Sequence, residues 1–432
     1  MPSRRLPQDD DLASAYRRVR ALSVALAAPL SDADATLQPH PDASPAKWHL
    51  AHISWFFETF VLRDHVPGYR LFDAAWPFLF NSYYDGEGAR HARHRRGMIS
   101  RPSLDEILRY RGHVDAAMAA AMPSLGQAAR ELVTLGLAHE QQHQELFVTD
   151  ILATFAENPL CPAYAASNLR RAPSHVEAPA RVEEHAEAPA TIWVERPAGI
   201  VEVGAEPDGF AFDAERPRHG ALMARHALAS RPVTNREWAA FIADGGYAKP
   251  GPWLSDGWAW VECGKIEAPL YWRRDGESWR RFGLDGLQDI EADAPVTHIS
   301  FYEADAYARW AGARLPTEFE WEAAAAGFDP DGGNQMDGPG PIAPRQGSKT
   351  VGLEQMFGDV WEWTGSAFLP YPGFVPAGGT VGEYNGKFMS GQMVLRGGSC
   401  ATPRGHMRAS YRNFFPPHAR WQFTGVRLAR DA

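Results

Sequence analysis

The stretch His139-Glu-Gln-Gln-His143-Gln-Glu145 decides how this chain is read. It sits in a run from Ser124 to about Glu157 whose apolar residues recur at three- and four-residue steps, which predicts a helix capped by Ser124. Histidines four apart project from one helical face about a turn from each other, a spacing that suits two imidazoles on one metal. Leu132, Leu135, Leu146 and Asp150 share that face, so both rings should point into a bundle of helices. Taken alone, such a pair also reads as two satisfied or surface histidines.

A third histidine lies upstream. In Trp48-His49-Leu-Ala-His52-Ile-Ser-Trp55-Phe56-Phe57-Glu58, the residues Trp48, His52, Trp55 and Phe56 form one helical stripe. An imidazole buried in an aromatic stripe without a partner costs roughly 1–3 kcal/mol, and a metal would satisfy it. His49 lies to the side of the stripe and reads as structural. This second helix opens at Ser44-Pro45 and runs through Arg63. A first helix, capped by Asp10 and Asp11, extends to about Leu30; a third starts at the capping-box pattern Ser103-Leu-Asp-Glu106 and runs to about Met122. The four predict a bundle with one long crossover, 65–101.

Outside this region the character changes. Residues 161–190 are rich in Ala, Pro and Glu without periodicity, which is linker composition. Residues 191–432 carry short β-like runs, among them Thr191–Val194 and Gly199–Val203, between Gly, Pro and Asp turns, with helical stretches from Asn235 to Asp244 and from Ser300 to Gly312. The expected organisation is therefore a helical domain over 1–160, a linker over 161–190 and an α+β domain over 191–432. A length of 432 residues fits two or three domains at about 150 each.

Composition narrows the function. Hydrophobic residues at 45% and charged residues at 22% describe an ordinary globular protein, not a disordered or fibrous one. A net charge of −10, from 43 Lys+Arg against 53 Asp+Glu, disfavours a nucleic-acid surface. Cys161, Cys263 and Cys400 are odd in number and far apart, so they frame neither disulfides nor a Cys-rich zinc site. No window approaches the ~20 apolar residues of a membrane span, and no apolar run follows the first arginines. A soluble protein of a reducing compartment, the cytoplasm, is expected, with no membrane or nucleic-acid partner.

Two further clusters carry chemistry. The crossover segment Asn81-Ser-Tyr83-Tyr84-Asp-Gly-Glu-Gly-Ala-Arg90-His-Ala-Arg93-His-Arg-Arg96 packs four arginines into an acidic chain. It reads either as a solvated loop or as a guanidinium fork for a carboxylate. The segment Tyr411-Arg-Asn413-Phe414-Phe415-Pro-Pro-His-Ala-Arg-Trp421-Gln-Phe423 reads as core unless it faces a ligand.

On these residues the chain resembles the ergothioneine sulfoxide synthases. Ser44-Pro-Ala-Lys-Trp-His-Leu-Ala-His52 and the HxxxHxE of His139, His143 and Glu145 resemble their DinB-like four-helix domain. Pro232-Val-Thr-Asn235, Arg314-Leu-Pro-Thr-Glu-Phe-Glu-Trp321, Gly358-Asp-Val-Trp361-Glu-Trp and Leu395-Arg-Gly-Gly-Ser399 resemble their formylglycine-generating-enzyme-like domain, which is related to C-type lectins. The resemblance implies Fe(II) held by His52, His139 and His143, whereas ligand type alone suits iron or zinc. It implies O2-dependent C–S bond formation between cysteine and C2 of the hercynine imidazole, giving a sulfoxide. Arg93 and Arg96, with Arg90 nearby, would hold the cysteine carboxylate, and Tyr83 and Tyr84 would stand at the reacting centre. Gln142, Asn413 and Phe414 would line the hercynine site; Phe415 stands where relatives using γ-glutamylcysteine carry an acidic residue. Close alternatives are a selenoneine synthase using a selenosugar and an ovothiol-type synthase using histidine. A zinc-dependent thiol transferase and a lectin-like binding module are the readings from other classes.

Overall fold

Four long helices pack as the sequence predicts: α1 (Asp9–Ala27), α3 (Ala46–Phe57, continued as one π-helical stretch Glu58–Arg63), α5 (Leu104–Ala121) and α6 (Gln127–Ala156). Short helices α2 (Asp32–Thr36) and α4 (Trp76–Phe80) fill connections. The computed structural model describes residues 9–164 and 191–432, apart from 277, 341, 349–351 and 380–381. The expected 161–190 linker lies outside the described residues beyond residue 164, as do the side chains of Asp10 and Asp11 assigned to cap α1.

Local chemistry explains several helix starts. The Ser103–Glu106 box forms in both directions, with Ser103 N–H on Glu106 at 2.8 Å and Glu106 N–H on the Ser103 hydroxyl at 3.3 Å. Ser124 does not cap α6. Its hydroxyl bonds back to the Ala121 carbonyl at 2.9 Å, and Gly126 takes the cap position without a side-chain bond. The first helix ends at Ala27, short of the expected Leu30.

Two features fix α6 in the bundle. At Gly136, one turn before His139, a Cβ would stand 2.6 Å from the Phe57 ring, so only glycine lets α6 lie this close to α3. Behind it, the fully buried Glu140 accepts from Ser23 at 2.6 Å, Arg111 at 2.9 Å and Arg20 at 3.1 Å. Burial opposes ionisation of this carboxyl, but the two guanidiniums prevail and keep its pKa below the ordinary value.

The second domain is built on short strands. Its central sheet has the order β10 (Asn413–Phe415), β9 (Met393–Arg396), β8 (Trp361–Ala367) and β11 (Thr424–Gly425), antiparallel except for β8 with β11. A second sheet orders β1 (Trp193–Arg196), β4 (His226–Ala229) and β12 (Ala429–Asp431); β2 (Gly199–Val203) pairs with β3 (His219–Met223), and β5 (Trp272–Asp275), β6 (Ser278–Gly283) and β7 (Gly286–Asp289) form a meander. The two expected helices are α7 (Asn235–Ala243) and α9 (Phe301–Trp310), and the structure adds α8 (Ser255–Gly264) and α10 (Glu318–Ala325). Trp238, Trp321, Trp361 and Trp363 are buried in one core, and Arg396 and Arg427 are buried with the carboxylates of Glu318, Glu322 and Glu362. All three cysteines are free, and no helix among the described residues is long and apolar enough to cross a membrane.

Candidate metal centre

One nitrogen from each of His52, His139 and His143 lies within 4.8 Å of the others. His52 comes from α3, and His139 and His143 are one turn apart on α6, so the packing of the two helices brings the three rings together. Burial, with repulsion between neighbouring cationic rings, pushes His52 and His143 well below the ordinary imidazole pKa. Burial lowers His139 to about 4. All three are therefore neutral at pH 7, the form that ligates a metal. His52 Nδ1 is bound to the Phe80 carbonyl at 2.6 Å, which fixes the tautomer with a bare Nε2. His139 Nδ1 is buried with no hydrogen-bond partner among the described residues. Three converging neutral imidazoles, one still unsatisfied, fit a divalent transition metal.

The histidines open onto a cavity of about 330 Å³ walled by both domains. On the bundle side Tyr83, Tyr84, Arg93, Arg96 and Gln142 line it, and on the other side Tyr411, Asn413, Phe414, Phe415 and Trp421. Gln142 donates to the Tyr411 hydroxyl at 2.7 Å across the domain boundary. The buried Arg96 lies over the Trp48 ring at 3.4 Å, and its head groups donate to the hydroxyls of Ser44 (2.9 Å) and Ser82 (3.1 Å). Burial, with the neighbouring Arg93, lowers its pKa to about 9. Arg93 donates to the Tyr83 hydroxyl and the Asp42 carbonyl. Neither guanidinium meets a carboxylate among the described residues, so both retain the capacity to bind one.

Two expectations change here, at Arg90 and at His49. Arg90 is not on the cavity wall: it is exposed and pairs with Asp85, which also holds Lys387. Phe414 does reach the cavity, but its ring stacks on Phe368 with centroids 4.1 Å apart, so much of it serves the second domain's packing. His49 is not merely structural, since its Nδ1 lies 2.8 Å from Nδ1 of His143. Asp150, Trp421 and Tyr411 were also missed as site residues. The signal for Asp150 was present, because it stands seven residues after His143 on the same face of α6.

Fold and site define a two-domain class in which a DinB-type bundle supplies a three-histidine cluster and a sulfatase-modifying-factor-like domain closes the cavity over it. The DinB superfamily pattern matches residues 15–147, and the sulfatase-modifying factor enzyme 1-like domain matches 177–338 and 339–432. The chain is 34% identical to the hercynine oxygenase of Mycobacterium tuberculosis, with 98% of this chain and 99% of that one covered. It is also 34% identical to that of Mycolicibacterium smegmatis, with 98% of each covered. A formylglycine-generating enzyme of M. tuberculosis is 31% identical, over 37% of this chain and 70% of its own length. The chain belongs to the hercynine oxygenase family and is an oxygenase.

Proposed function

We propose that this enzyme joins free cysteine to C2 of the hercynine imidazole with O2 as oxidant and Fe(II) at His52, His139 and His143. The observation that carries this reading is the convergence of three neutral imidazoles beneath a cavity with a cationic wall on one side and an aromatic wall on the other. The balance is closed by O2. One S–H and one C2–H bond break, a C–S bond forms, one oxygen atom enters the sulfoxide and the other leaves as water. When bound, iron supplies the redox chemistry that couples these electrons to O2.

The protein's own groups position the reactants. Arg93 and Arg96 receive the cysteine carboxylate in a partly dehydrated site, where a charge-assisted fork gains strength. Tyr83, held by Arg93, orients a phenol able to deliver a proton, and Tyr84 packs against His52. Gln142 and Asn413 contact the hercynine end, and aromatic faces including Phe414 and Trp421 suit its trimethylammonium group. Phe415 offers no carboxylate for the extra ammonium of γ-glutamylcysteine, which disfavours the dipeptide.

The test is anaerobic loading with Fe(II), followed by O2 with hercynine and, in separate reactions, cysteine, γ-glutamylcysteine or a selenosugar, with products weighed by mass spectrometry. Sulfoxide from cysteine at the highest efficiency is expected. Equal efficiency with the dipeptide would overturn the donor assignment, product only from the selenosugar would make this a selenoneine synthase, and turnover with zinc but without O2 would make it a thiol transferase.

A further inference from the structure

The His49 contact continues beyond the centre. His49 Nε2 lies 3.0 Å from Asp150 Oδ2, while His49 Nδ1 faces His143 Nδ1 at 2.8 Å. Both partners are buried, His49 at 3% and Asp150 at 4% exposure. Asp150 Oδ2 also accepts the Ser44 backbone N–H at 2.7 Å, and its Oδ1 accepts the Trp421 indole N–H at 3.2 Å. Trp421 belongs to the second domain, and its ring packs edge-on against His40 of the bundle, with centroids 4.6 Å apart.

Proton placement along this chain follows from hydrogen-bond directionality. A carboxylate only accepts, so the His49 nitrogen that faces Asp150 carries the hydrogen. With the single ring hydrogen of His49 held on Nε2, the other nitrogen, Nδ1, only accepts. Two ring nitrogens at hydrogen-bond distance need one hydrogen between them, so His143 carries it on Nδ1. That leaves the lone pair of His143 on Nε2.

We propose that Asp150 and His49 form an outer relay that locks His143 in the tautomer able to ligate through Nε2, and that Trp421 ties this relay to the docking of the second domain. These are positioning residues, since none supplies a ligand atom of the centre. His52 reaches the same tautomer through a backbone carbonyl, whereas His143 depends on two side chains and a cross-domain indole. Outer partners of this kind orient a ligating ring and raise its basicity, and losing them typically costs ten- to a hundredfold in metal affinity. The proposal rests on the metal reading above only for its consequence, because the tautomer itself belongs to the metal-free protein.

The experiment measures two things on the full chain. The first is the tautomer of His143 in the metal-free protein, from 15N chemical shifts after histidine labelling, assigned with H143A. The second is anaerobic Fe(II) affinity by titration, for wild type, H49L, H49N, D150N and W421F, each checked for its unfolding midpoint. Expected are an Nδ1–H tautomer in wild type, ten- to a hundredfold weaker Fe(II) binding in H49L and D150N, and a few-fold loss in W421F. H49N should keep most of the affinity, because its amide oxygen can stand in for the Nδ1 acceptor. Wild-type Fe(II) affinity in both H49L and D150N, or an Nε2–H tautomer of His143, would overturn the relay. Failure of wild type to bind Fe(II) would sink the metal reading, and the tautomer would still decide the relay.

Discussion

The Glu145 carboxylate accepts the indole N–H of Trp361 at 2.5 Å, and this bond runs from helix α6, which carries His139 and His143, into strand β8 of the other domain. The same carboxylate takes the hydroxyls of Ser399 at 2.9 Å and Thr402 at 2.7 Å. Its burial, which raises the pKa, is answered by three donors. The glutamate of the HxxxHxE segment is therefore a docking group whose work lies two residues beyond the second histidine. Substituting Glu145 by Ala leaves three donors buried without their acceptor and should cost about 1–3 kcal/mol. Urea unfolding checks this, and Glu145→Gln, which keeps one acceptor, should cost less.

Replacing His139 or His143 by Ala should remove most bound iron and all turnover while leaving the helical content unchanged. The packing that holds α6 is carried by Gly136 against Phe57, a turn earlier on the same face, and by Glu140 with Arg20 and Arg111 on another side of the helix, and neither substitution removes these contacts. Iron analysis with far-UV circular dichroism decides it, and full iron occupancy in both variants would contradict the ligand assignment.

Arg93 and Arg96 should separate in their effects. Arg93→Met removes a charged contact near the cavity mouth and should raise KM for cysteine about ten- to a hundredfold, the equivalent of a charge-assisted hydrogen bond. KM for hercynine should stay within a few-fold. Arg96→Met also removes the cover of Trp48, whose ring stacks on His52 with centroids 4.6 Å apart, so kcat should fall as well. Steady-state kinetics with each substrate varied in turn measures both.

Acid should weaken the metal-free protein as the pH falls below the ordinary imidazole range. Burial holds His139 at about 4 and His298 and His406 at about 3, against about 6.5 in the unfolded chain. Between these values the unfolded chain binds protons that the native state refuses, so stability falls as pH drops below about 6.5. Each group contributes up to about 1.4 kcal/mol per pH unit. Urea midpoints at pH 7.5, 6.5 and 5.5 should decline in that order, and His406→Gln should flatten the profile. A flat profile in the wild type would contradict the burial of these rings.

The legible and illegible parts of this molecule divide along physical lines. His52, His139 and His143 could be found because helical periodicity fixes which residues share a face, and a polar residue inside an aromatic stripe calls for a partner. The Ser103–Glu106 box was readable for a similar reason: its chemistry is local. His49 was misread because its partner is on another helix, and a helical projection of α3 alone carries no information about what α6 places opposite. Helix α10 was missed although Thr317 and Glu320 form a capping box at its start, since eight residues give too little periodicity. Strands β10 and β11, of three and two residues, show no alternation to read. Their positions follow from long-range pairing with β9 and β8.

Helix α6 is 30 residues long, about 45 Å at 1.5 Å per residue. Along two of its central turns it points Glu140 backward into the bundle, His139 and His143 into the cavity, and Gln142 and Glu145 outward to the second domain. These three sets share one angular frame. Inserting a single residue after Glu140 would rotate everything downstream by about 100°, aiming His143 away from His52, breaking the grip on Trp361 and swinging Asp150 off His49 in one stroke. Changes of length in this lineage must therefore fall in the loops, because this helix works as a shaft on which three fittings are keyed at fixed angles.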